Sequence, residues 1–60
     1  MMRTEFHNEE FMITSEVMQT PNGWWKVTLR DDDSGQMVGP SVRLFTLEAD
    51  ALAYAEGLCA

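Results

Sequence analysis

The chain is short of the residues that staple, charge or anchor a small fold. Its one cysteine, among 60 residues, cannot close an internal disulfide, which excludes the disulfide-stapled secreted scaffolds and points to a reducing compartment. With one histidine and one cysteine, His7 and Cys59, no Cys/His zinc set exists. These two residues also stand too far apart in sequence to suggest a nucleophile and its base. No apolar run approaches the roughly 18 residues of a membrane span, and no signal-peptide pattern is expected. Gly35 and Gly39 lack the lysine and following helix of a phosphate loop. Basic residues are scarce: four Lys+Arg face ten Asp+Glu, for a formal net charge of −6.

What is present suits one small globular domain. Apolar residues make up 45 % of the chain, too many for a disordered tail. A chain of this length buries only about 60 % of its unfolded surface, so its core has little to spare. The organisation reads as three strands and a helix, an α+β fold of β-β-β-α order. Residues 1–10 carry one aromatic, Phe6, among Glu5, Glu9 and Glu10. They read as a loose arm or a lead-in, before a single domain over 11–60.

Phe11 to Gln19 has strand composition, and Trp24 to Asp31 alternates. Between them, Thr20-Pro21-Asn22-Gly23 predicts a three-residue loop. Pro21 presets a type I turn and Gly23 takes the left-handed position. That loop pairs Val17 with Val27 and Ile13 with Asp31, putting Phe11, Ile13 and Val17 on the Trp25 face. A two-residue loop would instead bury Glu16, which is costly. A second polar turn, Asp32-Asp33-Ser34-Gly35, leads into a third strand from Gln36. Pairing Asp31 with Gln36 then predicts Leu29 opposite Val38, Trp25 opposite Val42 and Trp24 opposite Arg43. Gly39-Pro40 interrupts this strand and makes it an edge.

Thr46 reads as a helix N-cap, followed by acidic Glu48 and Asp50 where the helix dipole favours them. Leu47, Ala51, Leu52, Ala55 and Leu58 share a stripe, and Gly57 reads as the left-handed stop with Leu58 as its hydrophobic cap. A dozen residues do not hold a helix alone. This one must therefore dock on the face bearing Val17, Trp25, Val27, Leu29 and Val42.

The acidic run Asp31-Asp32-Asp33 does not fit a calcium loop. Counted from Asp31, Gln36 falls where the loop needs glycine and Val42 where it needs the last glutamate. No acid–base pair is spaced for catalysis, and a sheet with one helix offers little volume for a pocket. No enzyme, metal or cofactor is expected.

The opposite sheet face is the informative one. By the expected register it carries Trp24, Lys26, Thr28 and Arg30, flanked by Met12, Thr14, Glu16 and Met18 on one side and Met37, Ser41, Arg43 and Phe45 on the other. Aromatics, methionines and arginine together make a recognition surface. This architecture, with Trp24, Lys26, Arg30 and Arg43 on the free face, resembles the plant ethylene-response-type DNA-binding domain and the arm-binding domain of phage integrases. That resemblance implies reading of DNA by the sheet face. The net charge opposes it, because phosphate contacts need cations.

Size, acidity and a lone domain resemble instead the small inhibitors encoded by phages and mobile elements, of the anti-CRISPR and anti-restriction kind. That resemblance implies a cytoplasmic, non-enzymatic protein that occupies the surface of a nucleic-acid-handling complex. Carboxylates attract basic channels and speed association. The expected contacts are Trp24, Lys26, Arg30, Arg43, Phe45 and Met18 on the sheet face, and Asp31, Asp32, Asp33, Glu48 and Asp50 as the acidic set. A nucleic-acid-binding module, and a homodimer joined through its free sheet faces, are the alternatives.

Overall fold

A computed structural model describes residues 3–37 and 42–60. It contains β1 (Arg3–Asn8), β2 (Ile13–Gln19), β3 (Trp25–Asp31), β4 (Arg43–Phe45) and α1 (Glu48–Leu58). The strands form one antiparallel sheet in the order β1-β2-β3-β4, a meander, with α1 against one face. No helix among the described residues is long and apolar enough to cross a membrane.

The β2–β3 hairpin follows the turn chemistry. Val17 faces Val27 and Ile13 faces Asp31, and Gly23 holds φ 89° as the loop requires. Thr20 anchors the turn: its N–H donates to the Trp24 carbonyl at 2.7 Å, and its carbonyl accepts from Gly23. Alternation then sends Ser15, Val17, Trp25 and Val27 towards the helix, and Thr14, Glu16, Lys26 and Arg30 the other way.

Residues 3–8 are a paired strand, not an arm. Thr4, Phe6 and Asn8 line up with Val17, Ser15 and Ile13. Phe6 supplies the apolar contact to the core, while the alternating polar residues are those of an exposed edge. Phe11 accordingly leaves the sheet. It sits in the β1–β2 turn, 64 % exposed, rather than on the Trp25 face.

The third strand keeps the expected register only at its start. The Asp31 N–H donates to the Gln36 carbonyl at 2.8 Å, Gly35 takes φ 75°, and Met37 bridges Arg30. The expected Leu29–Val38 pairing, the Gly39-Pro40 interruption and Ser41 lie outside the described residues. Beyond them, Trp25 faces Phe45, not Val42, and Arg43 faces Val27, not Trp24. The slip is three residues. An odd slip exchanges the faces, so Arg43 and Phe45 turn to the helix side, and Val42 is exposed rather than in the core. The gain is aromatic burial: Phe45 packs against the core, with its ring 5.4 Å from that of Tyr54.

The core is small: Val17, Val27, Ala51 and Ala55, bordered by half-buried Phe6, Trp25, Phe45, Leu52, Tyr54 and Leu58. The two alanines let α1 lie close to the sheet. Buried Ser15 uses that closeness to donate its hydroxyl to the Ala55 carbonyl at 2.8 Å. The helix ends depart from expectation. Its N-cap is Leu47, exposed and outside the apolar stripe, and Thr46 provides no cap. Gly57 lies within the helix, not at a left-handed stop. The helix continues so that Leu58 reaches the core, and Cys59 and Ala60 close the last turn with N–H bonds to the Glu56 and Gly57 carbonyls.

Candidate functional site

The two surfaces expected from the sequence are rearranged. On the helix-free face, Arg3, Met18, Lys26 and Leu44 form one row across the strands, and His7, Thr14 and Arg30 another. Between them Glu5 stands opposite Glu16. Arg3 spans these two carboxylates, at 2.8 Å to Glu5 and 3.3 Å to Glu16. The Arg3 hydrogen bond holds the Glu5 carboxyl below its usual range, and Glu5 in turn raises the Arg3 guanidinium. This face is therefore a self-neutralised lattice and not a bare basic surface.

Met18, Lys26 and Arg30 lie on it as expected, and Trp24 is exposed immediately before β3. Arg43 and Phe45 do not join them. The Arg43 guanidinium lies 5.1 Å from the Tyr54 ring centroid and 5.8 Å from that of Phe45, on the helix side. Trp25 is half-buried and less exposed than Trp24.

The acidic set is also divided. Glu48 and Asp50 occupy the first turn of α1, which follows β4 where Phe45 meets the start of β3. Asp31, Asp32 and Asp33 lie at the far end of the sheet. The intervening helix, at 11 residues, is about 16 Å long. Of the three aspartates, Asp32 turns inward. The Thr14 hydroxyl, 5 % exposed as a residue, donates to its carboxylate at 2.7 Å, and His7 Nδ1 lies 3.0 Å from its second oxygen. Nδ1 is also 2.9 Å from the Thr14 oxygen. With the Thr14 hydroxyl directed at the carboxylate, the tautomer that fits both contacts is the one with its N–H at Nδ1. In a nucleophilic triad the imidazole would stand between hydroxyl and carboxylate. Here the hydroxyl meets the carboxylate directly, so the arrangement fastens β1, β2 and the turn after β3 without activating Thr14. Arg30, 3.8 Å from Asp32, completes it.

The same end of the sheet presents a surface that strand-based reading missed. The β1–β2 turn, Glu9-Glu10-Phe11-Met12, lies beside the Asp31–Gly35 turn, and the Asp32 N–H donates to the Met12 carbonyl at 2.8 Å. Asn8 builds the base. Its side-chain oxygen accepts from the Phe11 N–H at 3.1 Å, and its side-chain nitrogen donates to the Cys59 carbonyl at 2.8 Å. Asp31 accepts from the Asp33 N–H at 3.0 Å. Met12 takes φ 54°, unusual without glycine. The result is a fixed tip on which Phe11 and Met12 stand exposed among Glu9, Glu10, Asp31 and Asp33. The C-terminal end of α1, the negative end of its dipole, abuts this tip through Cys59 and Asn8. Cys59 is half-buried there, its thiol 3.3 Å from the Phe6 carbonyl. Asn8 was the available signal: an Asx residue immediately before Glu-Glu-Phe-Met reads as a turn start.

Comparison with protein-family models, with curated proteins and with solved structures finds no match for this chain.

Proposed function

We propose that this chain is a non-enzymatic binding protein that occupies a basic, nucleic-acid-binding groove of a partner protein, and that the acidic tip is its contact. The observation that carries the reading is Phe11: an aromatic 64 % exposed, held at a hydrogen-bonded turn and ringed by carboxylates. Exposed aromatics on fixed backbone are effective anchors, since little ordering cost remains to be met on binding. The surrounding carboxylates match a groove that evolved to hold phosphates, and steer the approach to it. This assigns Asp31 and Asp33 to the contact, Asp32 to its internal support, and leaves Glu48 and Asp50 at the other end of the molecule. The inhibitor resemblance is in keeping with such a surface. A nucleic-acid reader is less well served. Arg3 is engaged by Glu5 and Glu16, Arg30 stands 3.8 Å from Asp32 and Arg43 is on the helix side, which leaves Lys26 to meet phosphates.

The test is competitive capture. Immobilised full-length chain is used to retain protein from cells of its source, and the retained protein is challenged with short duplex DNA or RNA. The expected outcome is a nucleic-acid-binding partner released by the duplex and not retained by Phe11→Ala. A partner that withstands excess duplex and ignores Phe11 would remove the reading.

A further inference from the structure

The outer edge of β4 has no partner strand among the described residues, and its chemistry fits a second copy of itself. Among the described residues β4 is hydrogen-bonded on one side only, to β3. The direction of its free groups follows from the ladder. In an antiparallel pair each residue points its N–H and C=O to one side, and successive residues alternate. The bond from Thr20 to the Trp24 carbonyl shows that Trp24, Lys26 and their alternates bond towards β2. Trp25, Val27 and Asp31 then bond the other way, as the Asp31 bond to Gln36 confirms. Phe45 and Arg43, opposite Trp25 and Val27, are thus engaged with β3. Leu44, between them, aims both backbone groups outwards.

Edges in this state are usually blunted by charge or proline. The β1 edge is, by the Arg3–Glu5 pair. Among the described residues the β4 edge carries no proline, and Leu44 is 51 % exposed, as are Val42, Leu47 and Trp24 to similar degrees. Arg43 is its one charged residue.

We propose that β4 pairs antiparallel with β4 of a second copy, about a two-fold axis at Leu44. That register lets each Leu44 exchange both backbone hydrogen bonds with its mate. It sets Arg43 beside Phe45 of the second copy, so the only like charges on the strand are not opposed and each guanidinium meets an aromatic ring. The axis stands perpendicular to the sheet. Two four-stranded sheets therefore become one eight-stranded sheet with both helices on one face. The self-complementary register singles out a second copy over a foreign strand. A chain with so small a core also gains most from such an extension. The contact lies at the edge, not across the free sheet faces, and is separate from the tip that carries Phe11.

Leu44→Pro tests it. Proline removes the outward N–H and no hydrogen bond within the sheet. Sedimentation equilibrium of the full chain should show a concentration-dependent dimer. Because each substitution counts twice across the axis, the variant should associate about 30-fold more weakly. Since each copy carries −6, raising the salt concentration should strengthen the dimer. Leu44→Lys, which keeps the N–H but places like charges at the axis, should also give monomer, and it covers the case in which the proline variant fails to fold. Mixed isotope labelling should show contacts between Arg43 of one copy and Phe45 of the other. A wild type that stays monomeric at millimolar concentration overturns the proposal, as does a dimer that both variants leave intact.

Discussion

Asp32 donates its backbone N–H to the carbonyl of Met12 at 2.8 Å, and this bond joins the two turns at one end of the sheet. It fixes Met12 at φ 54°, a left-handed conformation that costs a residue with a Cβ about 1–2 kcal/mol. Glycine has no such cost, and Met12 is about half exposed, so the packing lost with it is limited. Met12→Gly should therefore raise stability, by about 1 kcal/mol, against the usual direction of point mutations. Urea unfolding followed by tryptophan fluorescence measures this, and a loss of that size would mean that the turn draws its stability from the methionine side chain.

The Asp32 side chain is a separate matter from its backbone. Its carboxylate accepts from buried Thr14 and lies beside His7. Asp32→Ala keeps the backbone bond to Met12 but takes away the carboxylate acceptor of the nearly buried Thr14 hydroxyl, leaving it only His7 Nδ1, 2.9 Å away. An unsatisfied buried donor costs about 1–3 kcal/mol, and that is the expected loss. Replacing Thr14 by Val in the Asp32→Ala background should recover part of it, because no unpaired hydroxyl then remains. Simple additivity of the two changes would show that they do not share this contact.

The hairpin from Ile13 to Asp31 was legible because two signals agree: the Pro21-Asn22-Gly23 turn sets one register, and only that register keeps Glu16 out of the core. Phe45 shows where such agreement ends. Proline has no N–H to give a ladder, so a residue count carried past Gly39-Pro40 has nothing in the sequence to hold it in phase. The register beyond is set by aromatic packing of Phe45 with Trp25 and Tyr54, which is tertiary. β1 was illegible for another reason. An edge strand with one apolar residue, Phe6, has the composition of a loop. The tip depended on both failures, since Phe11 can be placed in a turn only once residues 3–8 are known to be a strand.

Packing of α1 offers a sharper test of the core than truncation does. Ala51 is fully buried against Val17 and Val27. Ala51→Leu inserts three carbons where helix and sheet are closest, and overpacking of this kind costs about 1–3 kcal/mol. Ala53→Leu, at an exposed position two residues on, should leave the unfolding midpoint almost unchanged. Equal effects at the two positions would mean that α1 docks by a different stripe.

The pair Arg3–Glu5 predicts a dependence on pH. The Glu5 carboxyl in the folded chain sits below its ordinary range, because Arg3 hydrogen-bonds the charged form. A group with a lowered folded-state value contributes stability that is fully present above the ordinary carboxylate range and is lost as the pH falls through the lowered value. Arg3→Gln should move the Glu5 titration, followed by its side-chain carbonyl resonance, upwards towards the ordinary range. It should also flatten the acid limb of the stability profile. A Glu5 titration that does not respond to Arg3 would show that the pair is not maintained in solution.

Binding kinetics separate the two parts played at the tip. Carboxylates on a rim act on encounter over distances of about a Debye length, roughly 8 Å at physiological salt, and are screened beyond it. A buried aromatic acts only after contact, and so governs dissociation. Replacing Glu9, Glu10, Asp31 and Asp33 together by their amides should lower the association rate about tenfold or more and remove most of its salt dependence, with little change in dissociation. Phe11→Ala should speed dissociation by tenfold or more and leave association near the wild-type rate. Asp33 is the cleaner of the two aspartates to test singly, because Asp31 also holds the turn through the Asp33 N–H. Glu48→Gln with Asp50→Asn is the internal control: it removes the same charge as two of the tip substitutions but from the opposite end of α1. If this control slows association as much as the tip substitutions do, steering comes from net charge alone, and the groove is not meeting the tip.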